Sequence, residues 1–145
     1  MSESLGGYIQ RTIEARWEWG VCDCTMWVAD WVVSQTGIDP ASALRGTYAS
    51  EAEADALVAG GLAAVVDAQG VLNRTDAPVP GDVGVIHVGG REVAAIMSAD
   101  GWVFRQPDSV GSIRAEPLAA WALPTDGAAR MNDAPDPATD LTEAD

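Results

Sequence analysis

The sequence predicts an α+β domain in which helices come first, an antiparallel β-meander follows, and an acidic tail ends the chain. Three observations carry that expectation. Apolar residues recur at helical spacing through the first third of the chain. Valine-rich runs joined by two-residue turns follow Pro78-Val79-Pro80-Gly81. From Pro124 onward, proline and aspartate dominate and large apolar groups almost vanish, so that stretch cannot bury enough surface to fold alone. The expected organisation is therefore one domain, 1–123, and a tail, 124–145. A chain of 145 residues is long enough for a core without disulfide or metal staples.

Taken in order, Leu5, Ile9 and Ile13 lie four apart with Tyr8 beside them, which predicts a first helix from Ser4 to about Trp17. Asp23 is a good N-cap and Gly37 a good C′ residue, so a second helix is expected between them. Trp27 and Trp31 share one face of it, and Val28 and Val32 share another. So many large apolar groups make it the central helix and place both tryptophans in the core. Ile38-Asp39-Pro40 turns the chain, and Pro40 to Arg45 can form a short helical turn. Ser50-Glu51-Ala52-Glu53 reads as a capping box opening a third helix that runs to Gly60-Gly61. Leu62 to Val71 fits either a helix or a strand.

The period then changes. Asp82 to Val88 is β-branched, Gly89-Gly90 is a two-residue turn, and Glu92 to Ser98 is a second strand. Asp100-Gly101 turns the chain again into Trp102-Val103-Phe104-Arg105. Pro117 to Trp121 is expected to close the domain as a short helix or a packing segment. A two-residue turn at Gly89-Gly90 pairs Val88 with Arg91 and His87 with Glu92, and directly opposed residues share a face.

Composition excludes several functions. The net charge is −14, with eight arginines and no lysine, which argues against nucleic acid as a partner. The same replacement of lysine by arginine is also what a GC-rich genome produces. No apolar run reaches about 18 residues, so no membrane span is expected. Met1 to Gly7 lacks a basic stretch followed by an apolar one, so the expectation is synthesis in a cytoplasm without a secretory signal. Cys22 and Cys24 lie too close in sequence for an ordinary disulfide. They also lack the spacing and the second pair of a zinc site, so neither metal nor other cofactor is expected.

The chemistry gathers at Asp23-Cys24. A thiol on the first turn of a helix faces unpaired N–H groups and partial positive charge, both of which favour a thiolate. Trp17 and Trp19 lie just upstream and are candidates for stacking on a sugar or peptide.

These residues, in this order, resemble the NlpC-type papain-like cysteine peptidases, and more closely the short version encoded with phage tails and gene-transfer agents. The matching pieces are Trp17-Glu18-Trp19-Gly20, Asp23-Cys24, Thr36 to Pro40, Leu44 to Tyr48 and Gly81-Asp82. The resemblance implies a papain-like fold with Cys24 as nucleophile. It also implies a histidine at the start of the second core strand, where Arg91-Glu92-Val93 stands instead, and a polar partner on the next strand, where only Gln106 has suitable chemistry. The base position is thus replaced. The expected role is a tail-tip or hub component of a virion, contacting other tail proteins, with a degenerate site. The alternative is an active cell-wall endopeptidase or amidase that uses Cys24 with His87 as base and Glu92 orienting its ring, peptidoglycan being the substrate. An acyl-transfer or deamidating enzyme has only the thiol in its favour.

Overall fold

The computed structural model describes residues 3–123, so the predicted tail, 124–145, lies outside the described residues. The described chain is mixed α+β, with four helices and one six-stranded antiparallel sheet. The helices are α1 (Leu5–Thr12), α2 (Cys24–Thr36), α3 (Glu51–Leu57) and α4 (Leu62–Gln69). The strands are β1 (Asn73–Arg74), β2 (Val83–Val88), β3 (Arg91–Ser98), β4 (Gly101–Gln106), β5 (Ser109–Ile113) and β6 (Ala119–Ala122). They lie in the order β1-β6-β2-β3-β4-β5.

Helix α2 forms as its sequence demands. Asp23 Oδ1 accepts the Met26 N–H at 2.8 Å, and Gly37 closes the other end in the left-handed region at φ 75°. The helix is apolar nearly all round because it is covered on two sides. Trp27, Val28, Trp31 and Val32 meet Val83, Val85, Ala94, Ile96 and Val103 of the sheet, with Tyr8 of α1. Met26 and Ala29 face the other way, toward Ala41, Tyr48, Trp19, Leu44 and Ala54. Trp27 and Trp31 are buried core residues, as their spacing implied. Trp31 Nε1 donates to Gly81 O at 2.9 Å, which fixes where the sheet begins relative to the helix.

The meander has the predicted register. His87 pairs with Glu92 and Val88 with Arg91 across Gly89 and Gly90, whose φ values of 58° and 81° are those a type I′ turn needs. The face away from α2 has its own apolar cluster, built on Ile86, Ala95, Trp102, Phe104 and Ala120. There Trp102 lies on Gly84, where an added Cβ would stand only 2.8 Å from the indole. That position is glycine for space rather than for conformation.

Two expectations need correction, one strand was not expected, and one open choice is resolved. The first helix stops at Thr12, not near Trp17. There Thr12 O accepts the Ala15 N–H at 3.0 Å in a tight turn, and Arg105 braces that turn, its Nη1 donating to Thr12 O at 3.2 Å and its Nη2 to Ala15 O at 2.5 Å. Ile13 is consequently exposed rather than part of the stripe. The segment near Trp121 is neither helix nor loose packing but strand β6, inserted between β1 and β2. Its alanines carry no β signal, and pairing with β2 together with burial of Trp121 overrides propensity. Strand β5 was not foreseen, since Ser109, Gly111 and Ser112 give it no apolar alternation. Leu62–Gln69 resolves as helix α4.

Arg105 is almost wholly buried, and its donors go to the carbonyls of Thr12, Ala15 and Gln106 and to the Cys22 sulfur at 3.6 Å. Arg105→Met should therefore lower stability by about 1–2 kcal/mol, because the released carbonyls near Ala15 lie close enough to the surface to take water. A thermal melt indistinguishable from that of the unmodified protein would contradict this.

Candidate functional site

The site is assembled around the start of α2. Glu18 and Cys22 form a two-residue bridge, with Glu18 N–H to Cys22 O at 2.9 Å and Cys22 N–H to Glu18 O at 2.7 Å, so Trp19-Gly20-Val21 is a tight loop. Gly20 sits at φ 80°, and a Cβ there would fall 2.3 Å from Tyr48 O. Only glycine permits this approach. The Gly20 N–H and the Tyr48 hydroxyl both donate to Asp23 Oδ2, at 2.8 and 2.6 Å, while the Gly46 N–H donates to Gly20 O. Arg45 in turn holds Asp39 at 2.8 Å and Asp30 at 2.7 Å. The separate sequence pieces around Trp17, Asp23, Asp39 and Tyr48 are thus tied into one knot.

Asp23 is fully buried and its carboxylate accepts three hydrogen bonds from the surrounding chain. It is a structural centre. Its charge and its burial together push the Tyr48 hydroxyl far above its ordinary range, burial being the larger cause.

Cys24, the first residue of α2, lines a cavity of about 50 Å³ walled by Trp19, Thr25, Met26, Leu44 and Tyr48 on one side and by Ala54, Asp55, Leu57, Val58, Arg91 and Glu92 on the other. That volume admits a few waters. The thiol pKa is raised, first by burial and then by the Asp23 carboxylate. The helix N-terminus does not overcome these two effects. The carboxylate that opposes the thiolate is thus Asp23, its neighbour in the chain.

Glu92 lies in the cavity wall and is already engaged. Its Oε1 accepts the Leu62 N–H at 2.8 Å, capping α4, whose own N-cap residue, Gly61, has no side chain to do so. His87 pairs with Glu92 in register, but its ring is exposed and outside the cavity lining, and among the described residues it has no hydrogen-bond or ion-pair partner. Glu92 thus does not orient the His87 ring. Gln106 is exposed and accepts from Ser109 Oγ in the β4–β5 turn. Trp17 and Trp19 meet edge to face with centroids 5.2 Å apart, yet they serve different surfaces. Trp19 faces Cys24, whereas Trp17 lines an open cleft with Ile13, Arg16, Arg105 and Pro107.

Against this geometry, residues 1–123 match one family model, described as a domain of unknown function (DUF6950). The chain belongs to the DUF6950 family. No curated protein and no solved structure matches it. In this DUF6950 domain no helix among the described residues is long and apolar enough to cross a membrane. Among the same residues no three of His, Cys, Asp and Glu are placed to hold a metal ion. Cys22, the second thiol, is partly buried against Arg105; burial raises its pKa and the guanidinium opposes that rise. Sequence reasoning missed the Tyr48–Asp23 bond, the capping by Glu92, and the place of α3 in the wall of the Cys24 cavity. Only the first left a trace, in the piece from Leu44 to Tyr48.

Proposed function

We propose that this protein is a tail-tip or hub component of a phage or gene-transfer agent, derived from an NlpC-type papain-like peptidase and retained as a structural part with a degenerate site. The carrying observation is Glu92. A carboxylate committed to capping α4 stands in the thiol's cavity, where a cysteine peptidase needs an imidazole to take the thiol proton. Nucleophile and base must lie within hydrogen-bond reach, and the only histidine lies outside the cavity. The thiol on the first turn of a helix laid across an antiparallel meander is in keeping with NlpC-type ancestry. Assignment to a tail rests on the resemblance of the ordered pieces from Trp17 to Asp82. On this reading the partners are other tail-tip or hub proteins, and the location is the virion after synthesis in the host cytoplasm.

Two measurements test the proposal. Purified particles should contain the protein at fixed stoichiometry, and the isolated protein should release no muropeptides from peptidoglycan. A free cytosolic monomer absent from particles would sink the tail assignment. Muropeptide release that disappears in both Cys24→Ala and His87→Ala would establish the active endopeptidase in its place.

A further inference from the structure

We infer that α3 and its flanks, residues 49–61, form a hinged cover over the Cys24 cavity that Arg91 latches shut. Three independent features lead there. First, the segment is pinned at both ends, and between them only the partly buried Ala54 and Val58 pack on the core. Tyr48 is buried and bonded to Asp23, and Leu62 is buried with its N–H on Glu92. None of the seven residues of α3 is buried. Secondly, its inner side is cavity wall: Ala54, Asp55, Leu57 and Val58 line the same void as the partly buried Cys24. Thirdly, its polar ties to the sheet are two ion pairs from one residue, Arg91, whose Nη1 meets Glu51 and whose Nη2 meets Asp55 at 2.6 Å. All three side chains are about half exposed, at 48, 57 and 55%.

The segment is also built to move as a unit. Ser50 Oγ accepts the Glu53 N–H at 3.1 Å, and Glu53 Oε1 accepts the Ala49 N–H at 2.7 Å, so the helix keeps its own caps when it leaves the sheet. Gly60 and Gly61 follow it, and Gly61 has φ 107°, a conformation that side chains rarely adopt. Exposed ion pairs are weak and screened by salt. Closed, the cavity holds a few waters; open, it presents the thiol together with Met26, Leu44 and Leu62. The cover operates whether or not the thiol is catalytic, so its failure would leave the tail-tip reading standing, and the reverse.

The test is alkylation of the two cysteines by N-ethylmaleimide in alkaline buffer, with each site read by tandem mass spectrometry. Arg91→Gln should speed Cys24 about three- to tenfold, the equilibrium worth of two exposed ion pairs. Raising NaCl from about 20 mM to about 0.5 M should accelerate Cys24 in the unmodified protein and add little in Arg91→Gln. Arg91→Lys should fall between them. Cys22 should stay within about a factor of two throughout, since it lies on the Arg105 side of the knot. Hydrogen exchange adds a readout without substitution: amides of α3 should exchange ahead of those of α2 and α4. A Cys24 rate indifferent to both Arg91→Gln and salt would overturn the inference, as would a Cys22 rate rising in step with it.

Discussion

Asp23→Ala is expected to remove about 3–5 kcal/mol of folding stability, a large share of what a domain of this size has. The carboxylate makes three bonds in a fully buried position. Losing the cap to Met26 costs about 1 kcal/mol. The Gly20 N–H and the Tyr48 hydroxyl are then stranded, and a buried donor left without a partner costs about 1–3 kcal/mol. Water cannot easily replace the carboxylate, because a second layer (Gly46 on Gly20, Tyr48 O against Gly20) closes the knot from outside. Asp23→Asn should cost less, since the amide oxygen can still accept from Met26 and the Tyr48 hydroxyl can turn to accept from the new NH2, which leaves only the Gly20 N–H opposed. Urea denaturation with an unchanged slope would measure both. A loss below about 1 kcal/mol for Asp23→Ala would mean that the cap alone is worth anything.

Much of the fold was legible because its determinants are local. Asp23 and Gly37 bound α2 by capping chemistry, and Gly89-Gly90 sets the β2–β3 register by turn geometry alone. What could not be read depends on contacts distant in sequence. The turn that follows α1 at Thr12 is braced by an arginine 93 residues later. Strand β6 exists because β2 and β1 leave a gap that Trp121 fills, with its indole N–H on Asp67. A run such as Ala119-Ala120-Trp121-Ala122 has no pattern to announce this. Ser50-Glu51-Ala52-Glu53 was read as a cap and is one, but Glu53 reaches Ala49 rather than Ser50, a shift too small for sequence to show.

The site was legible in the same uneven way. Helix phase places Cys24 on the first turn, and strand register places Glu92 opposite His87. Neither reveals that Glu92 caps a helix from another part of the chain. Register fixes which residues share a face, yet His87, toward the end of β2, stands clear of the cavity while Glu92 stands in its wall. Nor does sequence tell which carboxylate the thiol feels. Adjacent in the chain and buried beside it, Asp23 is the one that acts.

That assignment fixes the second large expectation, the pH profile of Cys24. Iodoacetamide reacts with the thiolate, not the thiol. Burial and then the Asp23 charge both raise the Cys24 pKa, so at neutral pH the folded protein holds less thiolate than an ordinary cysteine does. Labelling at pH 7 should therefore be at least about tenfold slower than for the same cysteine in the unfolded chain. The rate should keep climbing with pH beyond the point where the unfolded reference has levelled. A working peptidase shows the opposite, since a neighbouring imidazole takes the thiol proton and contributes about 10²–10⁴-fold in rate. Asp23→Asn separates the two causes: removing the charge should move the profile part of the way back toward neutral pH, while burial, the larger cause, holds the rest. The cover sets how often a reagent reaches the sulfur, whereas ionisation sets the pH at which it reacts, so Arg91→Gln and Asp23→Asn should alter different features of one curve. Fast, selective labelling of Cys24 at pH 7 that vanishes in His87→Ala would show that the imidazole reaches the thiol after all, and the degenerate-site reading would fall with it.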